Sequence, residues 1–447
     1  MTTIPDVPPT ASRFRDRLPV FLRRGRIAPF LTIVMSGQLV YASFEAFKGS
    51  LMLPLQELLG ITGEQFGLLM GYIGISVFFY IPAGWVLNRF PVRSIIVWSL
   101  AWRLVTYLVL FTLNPSFTVM AIIAVSWGIL DAIMWPAIVN GVALMAASSE
   151  TSGRGLAMGL LESIRRFAEF GMNLLIIGAL ALWADNADLV LRVACIAYAL
   201  LLAPLIVAVL RVVPRTATAK LGDRSDSAAA LVGLLQVLTK PRVWLAGIAA
   251  LALYWAYINL IYCSAPYLEQ VFHLPRSASA VFGIVNTGLV GIVAGVISGF
   301  IADYLFKSST KMLATALALI AIVAGVVLLL PSDPDLMWVT MGLLVVVAFA
   351  TFLGKAVILA PVAELRLPEG ISGSAMSTGS FLAYASVFWA YPMNGRIVDA
   401  HADDPAVGYD IIFATTIGVA IVGCLCAGVL VVWNARIDRR QGEAAAV

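Results

Sequence analysis

The 447 residues are 61% hydrophobic and 12% charged, whereas a soluble domain carries about a quarter charged residues. A water-soluble fold of this length is excluded, because it has no way to bury so much apolar surface. The formal net charge of +4 is spread loop by loop instead of gathered in a patch, which argues against nucleic acid as a partner.

Residues 1–26 hold Arg13, Arg15, Arg17, Arg23, Arg24 and Arg26 with no apolar core, so they read as a cytoplasmic tail and not as a cleavable signal. From Ile27 onward, apolar runs of about twenty residues alternate with short loops, the spacing that a bilayer core demands. The pattern predicts an all-α membrane protein with twelve transmembrane helices, at 28–53, 64–87, 94–113, 117–147, 154–183, 188–211, 243–271, 277–305, 310–331, 336–363, 370–397 and 409–433. These are expected to form a six-helix bundle over 27–212, a cytoplasmic linker over 213–241, a second six-helix bundle over 242–434 and a tail over 435–447.

Alternate loops carry the cations: the first tail, Arg89 with Arg93, Arg154, the central linker, Lys307 with Lys311, Arg366, and Arg436 with Arg439 and Arg440. The other loops are acidic or neutral, as at Asp185 and Asp188, Asp333 and Asp335, and Asp403 and Asp404. The positive-inside rule then places both termini in the cytoplasm and the protein in the inner membrane. Cys195, Cys263, Cys424 and Cys426 fall in apolar runs, and His273 and His401 in loops, with no ligand-like grouping. No metal or other cofactor is expected.

Three segments recur at nearly constant offset. Pro54-Leu-Gln-Glu57 answers to Pro266-Tyr-Leu-Glu269, Gly84-Trp-Val-Leu-Asn88 to Gly299-Phe-Ile-Ala-Asp303, and Gly155-Leu-Ala-Met158 to Gly373-Ser-Ala-Met376. Shared order and register argue for a six-plus-six duplication. With Gly84, Arg89 and Arg93 in one half and Gly299 and Asp303 in the other, the chain resembles the major facilitator superfamily over essentially its whole length. Asn88 and Pro91 stand where that family's Gly-x3-Asp-Arg-x-Gly-Arg-Arg signature has Asp and Gly. The resemblance implies that these loops latch the two bundles together, giving Asn88, Arg89, Arg93 and Asp303 gating roles; the alternative is that Gly84 and Gly299 are simply close-packing points. Within the family, Tyr262-Cys-Ser-Ala-Pro266-Tyr-Leu268 and the last two spans look most like the organophosphate and anion-transporter branch. Ala46 and Tyr257 stand where that branch has phosphate-gripping arginines, although Lys48 lies within one turn.

A charge at the centre of a membrane helix costs about 3 kcal/mol, so each one needs a reason. The spans contain Glu45 and Lys48 (first), Arg103 (third), Asp131 (fourth), Glu162, Arg165, Arg166 and Glu169 (fifth) and Lys355 (tenth). The fifth-span set repeats at helical spacing and forms one stripe. Two readings fit it: Glu162 with Arg166 and Arg165 with Glu169 neutralise one another, or the stripe binds a ligand. The equivalent eleventh-span positions are Ser380, Ala383, Tyr384 and Val387, so the architecture itself does not require charge there. Arginine stays protonated, so Arg165 and Arg166, with Lys48, are candidate binders of an anionic group. Proton coupling then falls to carboxylates, Glu45 and Glu162 first, then Asp131 and Glu169. Glu45 has the alternative of pairing with Lys48. Asp131 and Lys355, in corresponding spans, form either a cross-cavity pair, with Lys355 as a gate, or helix-to-helix glue. Arg103 either joins this set or snorkels to an interface. Of the aromatic residues Tyr254, Trp255, Tyr257, Tyr384 and Trp389, which otherwise serve as packing, Tyr257 and Tyr384 are the expected substrate contacts.

The expectation is a monomeric secondary transporter, not an enzyme, moving a small organic anion through the lipid bilayer with proton symport. No ATP-binding Gly-x4-Gly-Lys-Ser/Thr loop occurs. Export of organic compounds by proton antiport, or a sensor built on a transporter fold, are the competing readings.

Overall fold

The computed structural model describes residues 27–48, 50–79, 86, 90–146, 154–215, 235–306, 308–365, 367 and 369–445. The first tail, most of the central linker, and Gly84, Asn88, Arg89, Lys307 and Arg366 lie outside the described residues, as do the side chains of Glu162 and Asp303. Within the described residues the protein is helical, with no strand. A bilayer leaves this as the only solution short of a closed barrel, because every backbone polar group must be satisfied within the chain.

Among the described residues, helix falls within each of the twelve predicted spans. Eight of the described helices are long and apolar enough to cross a bilayer on those grounds alone. The others depart for visible reasons. The fifth span, Arg154–Leu182, carries four charged residues beyond its first turn. The eleventh is divided at Ser386 into Glu369–Ala385 and Val387–Ala400.

The first span differs most from expectation, since its helix stops at Leu39 and resumes at Met52–Leu59 with only a short 3-10 turn, Glu45–Phe47, between. Unwound backbone at membrane depth survives only when other groups take its polar atoms. Tyr107 Oη donates to the Val40 carbonyl at 2.7 Å and Asn173 Nδ2 to the Ala46 carbonyl at 3.0 Å. Ser43 Oγ reaches the Cys195 carbonyl at 3.1 Å. Gly60, at φ 64°, then ends the segment in the left-handed region, and a Thr62–Gln65 capping box starts the second span, Gly63–Ile73, at a 100° corner. The last helix runs unbroken over Pro405–Ala445, so residues expected to form a cytoplasmic tail continue its helix.

Within the N-terminal half the first span packs on the fourth, Phe117–Ala146, and on the fifth. In the C-terminal half the seventh, Pro241–Tyr262, packs on the eleventh, the last helix and the tenth, Met337–Ala356. A buried chain of amides ties this second set together: Asn394 Nδ2 donates to Asn259 Oδ1 at 2.8 Å, and Asn259 Nδ2 to Thr416 Oγ1 at 2.9 Å. The halves meet where the second span packs on the eleventh, and where the fifth packs on the eighth, which begins at Arg276–Ile284.

Candidate functional site

A cavity of about 270 Å³ lies between the halves, and its walls collect charge that the sequence spreads over four spans. Its floor is the break in the first span, which turns Glu45 inward and presents Lys48. Behind Glu45 sits Arg103 of the third span, Val92–Leu113, fully buried at 0% exposure. Its Nη1 meets Glu45 Oε1 at 2.7 Å and its Nη2 meets Asp131 Oδ2 at 2.7 Å. Tyr107 Oη accepts from Nη1 at 2.9 Å and lies 3.0 Å from Glu45 Oε2. The Trp127 ring lies 4.4 Å from the guanidinium carbon, held by its own donation to Thr106 Oγ1 at 2.8 Å. A charge so placed is a hub and not a snorkelling group, because ion pairing and a ring face replace the water it has lost.

These pairings correct two sequence-based alternatives. Glu45 is paired with Arg103 and not with Lys48, and Asp131 is paired with Arg103 and not with Lys355. Lys355 instead stands 3.5 Å from the centroid of the Tyr257 ring and 5.6 Å from that of Tyr254. Tyr254 packs edge-on against Tyr384 at 4.9 Å, so an aromatic wall from the seventh and eleventh spans faces the cationic one.

On the fifth span, Arg165 donates Nε to the Gly37 carbonyl at 3.1 Å, and its guanidinium carbon lies 4.5 Å from the Trp135 ring. Arg166 pairs with Glu169 at 3.3 Å, one turn along, while the Glu162 side chain, expected to pair with Arg166, lies outside the described residues. Lys48, Arg166, Glu169 and Tyr257 also line a second void of about 20 Å³ beyond the first. Of the residues singled out from sequence, Lys48, Glu45, Asp131, Arg165, Arg166, Glu169, Tyr257, Tyr384 and Lys355 are brought to one cavity. Arg93 is half-buried at the start of the third span, away from it.

Tyr41, Trp135 and Tyr391 also line the cavity, and the sequence reading passed over them. A signal existed for the first two. Tyr41 lies four residues before Glu45 and Trp135 four after Asp131, the spacing that places side chains on one helical face. Tyr391 had no such neighbour.

At the end away from the chain termini the cavity is shut. The Asp399 carboxylate of the eleventh span accepts from Gly63 N at 3.1 Å and Glu64 N at 2.5 Å, capping the second span across the two halves. Arg396 pairs with Glu64 at 2.8 Å, and Arg276 forms a fork onto Glu57, both contacts at 2.7 Å. Gly395 meets the Gly63 backbone and Gly67 the Tyr391 backbone with no room for a Cβ on either, and a Cβ on Gly63 would meet the Asp399 carboxylate.

The family model described as Major Facilitator Superfamily matches residues 33–391. The inner membrane protein YihN of Escherichia coli (strain K12) is 25% identical over 430 residues, spanning 94% of this chain and 98% of the relative. The inner membrane protein YqcE of the same organism is 22% identical over 353 residues, spanning 78% and 81%. Among solved structures, the nucleoside transporter NupG superposes with a TM-score of 0.67 at 12% identity, over 91% of this chain and 99% of the other. A bacterial homologue of the human lysosomal transporter Spinster, inward-facing and unoccupied, gives 0.65 at 13% identity, over 92% and 97%. At these identities the structures speak for the fold alone.

Proposed function

Because the chain belongs to the Major Facilitator Superfamily, a family of multi-pass membrane transporters, we propose that it moves a small polar organic anion, such as a sugar acid or other carboxylate, by alternating access with proton symport. One observation carries this reading: the described cavity residues, with Arg103 behind them, include five cations (Lys48, Arg103, Arg165, Arg166, Lys355) against three carboxylates (Glu45, Asp131, Glu169). In a desolvated cavity fixed positive charge favours a negative solute. Forked guanidinium donors suit carboxylate, sulfonate or phosphate groups. The facing tyrosines offer apolar faces for the solute's body and hydroxyls at their rims.

The proton has candidate carriers in the carboxylates, since the arginines hold theirs at every physiological pH. The loop charges favour both termini in the cytoplasm of the inner membrane. On that orientation, the Asp399, Glu64 and Glu57 contacts close the outer side, and the cavity serves the inward-facing stage of the cycle. Loops next to Asn88, Arg89, Arg93 and Asp303 would then form the opposing latch in the outward-facing stage.

The test is the thermal stability of the purified protein against a panel of sugar acids, sugar phosphates, sulfonates, simple carboxylates and neutral sugars, in wild type and Arg165→Gln. A solute at 100 times its dissociation constant stabilises the folded state by about 2.7 kcal/mol. The expected result is stabilisation by an anion that the variant loses. A response to neutral or cationic solutes alone, or an equal response of the variant, sinks the anion reading.

A further inference from the structure

The last helix has two unlike faces. Ala420, Gly423, Ala427 and Leu430 are buried where it packs on the seventh span and on the ninth, Ser309–Leu329, and a Cβ on Gly423 would meet Ala252 of the seventh and Leu317 of the ninth. The other face is a stripe at helical spacing, Cys424, Leu425, Gly428, Val429, Val432 and Trp433, which lines one continuous groove ending at Arg436 and Ile437. Leu425, Val429 and Val432 are 64%, 52% and 50% exposed. No neighbouring atom lies within 4 Å of a Cβ built on Gly428, so the groove is notched at its middle.

This groove has the depth of one leaflet. At about 1.5 Å per residue the rise from Cys424 to Arg436 is about 18 Å, against about 15 Å for half of a bilayer core. Its polar end carries the two kinds of side chain that mark a membrane surface, Trp433 and Arg436, with Arg439 one turn further on and also exposed. Asp438, the acid nearest in sequence, is off the spacing of the stripe. A second copy of the chain is a poor occupant. Two copies lie the same way up in a bilayer, so a twofold contact on this face brings two Arg436 side chains together, and like charges repel. A lipid with a negative headgroup meets the same arginine with the opposite sign.

We propose that this groove binds one anionic phospholipid, in the leaflet nearest the C-terminus, with an acyl chain along the Gly428 notch and the headgroup phosphate on Arg436. The guanidinium offers forked N–H donors to the phosphate oxygens. Trp433 stands at headgroup level, where an indole has an apolar ring for the chain and an N–H for the surface. In the notch, a methylene chain supplies the dispersion contacts that the helix lacks at residue 428. Net charge selects the lipid. A zwitterionic headgroup brings an amine that competes with Arg436 and Arg439 for the phosphate, whereas a phosphatidylglycerol headgroup brings none. The groove shares no lining residue with the cavity between the halves, so the proposal does not depend on the solute.

The experiment is native mass spectrometry of the full-length protein, titrated in detergent with phosphatidylglycerol or with phosphatidylethanolamine of the same acyl chains, on wild type, Arg436→Gln and Gly428→Leu. The expected result is a first lipid bound about fivefold more tightly as phosphatidylglycerol, the worth of one arginine at an anionic surface. Arg436→Gln is expected to lose that preference, and Gly428→Leu to weaken the binding of phosphatidylglycerol by filling the notch. A phosphatidylglycerol with a photoactivatable group in its acyl chain then locates the lipid on wild type, with no variant required to fold. Its crosslinks are expected between Cys424 and Ile437, competed by phosphatidylglycerol and not by an equal amount of phosphatidylethanolamine. Equal affinity for the two lipids, a preference unchanged in Arg436→Gln, a dimer that Gly428→Leu abolishes, or crosslinks confined to other spans overturns the proposal.

Discussion

Arg103 of the third span and Arg165 of the fifth share one aromatic ring, their guanidinium carbons standing 5.6 Å and 6.0 Å from the centroid of Tyr41. The buried ion cluster and the cavity's arginine are therefore one side chain apart. A change of charge at Asp131 is felt at Arg165 across a low-dielectric gap, where Coulomb terms are larger than in water.

Removing Arg103 strands two carboxylates in an apolar interior. Arg103→Leu is expected to lose about 3–5 kcal/mol, the cost of breaking a buried ion pair from one side. The combined replacement Glu45→Leu, Arg103→Leu, Asp131→Leu is expected to recover most of that loss, since exchanging a whole buried cluster for apolar side chains is close to neutral. Thermal melting of the purified variants separates the two cases. A single variant as stable as wild type would show that the cluster carries no uncompensated charge when its cation is gone.

Lys355 acts from the other wall, with Nζ over the Tyr257 ring at 3.5 Å. Lys355→Met retains the length of the side chain and removes the charge. Its expected effect is a tenfold or greater loss of affinity for the anion that best stabilises wild type, because a hydrogen bond to a charged group is worth about 1.5–3 kcal/mol. The melting temperature without solute is expected to change little. Unchanged affinity in calorimetric titration would confine Lys355 to packing on the tyrosines.

At the closed end, Gly67 meets the Tyr391 carbonyl with no room for a methyl group. Gly67→Ala is expected to penalise this closed arrangement by about 1–3 kcal/mol, as overpacking does, and so to shift the population toward the form open at that end. Spin labels at Ile61 and Ala402, on the two facing loops, report it as a longer distance. A distribution identical to the labelled wild type would mean that the second and eleventh spans do not separate during the cycle.

The helical membrane fold could be read from the chain alone because each span settles its account with lipid separately. About twenty apolar residues satisfy their own backbone and need no partner to be recognised. The stretches that escaped this reading are those where a partner intervenes. Leu39 to Met52 was expected to continue one helix, yet Tyr107 and Asn173 take its carbonyls and allow it to unwind. Asp399, unremarkable at the end of the eleventh span, caps a helix 335 positions earlier in the chain.

The intramembrane charges show the same division. That Glu45, Asp131, Arg165, Arg166 and Lys355 must face away from lipid follows from the cost of burying a charge, and the sequence determined it by itself. Which charge meets which did not follow. Local spacing offered Lys48 as an alternative partner for Glu45, whereas the partner is Arg103, 58 positions away, with Asp131 on the same guanidinium from 28 positions further along. Only the tertiary structure decided this, because an ion pair depends on the distance between two side chains, and that distance is set by how three spans pack and not by how far apart their residues lie along the chain.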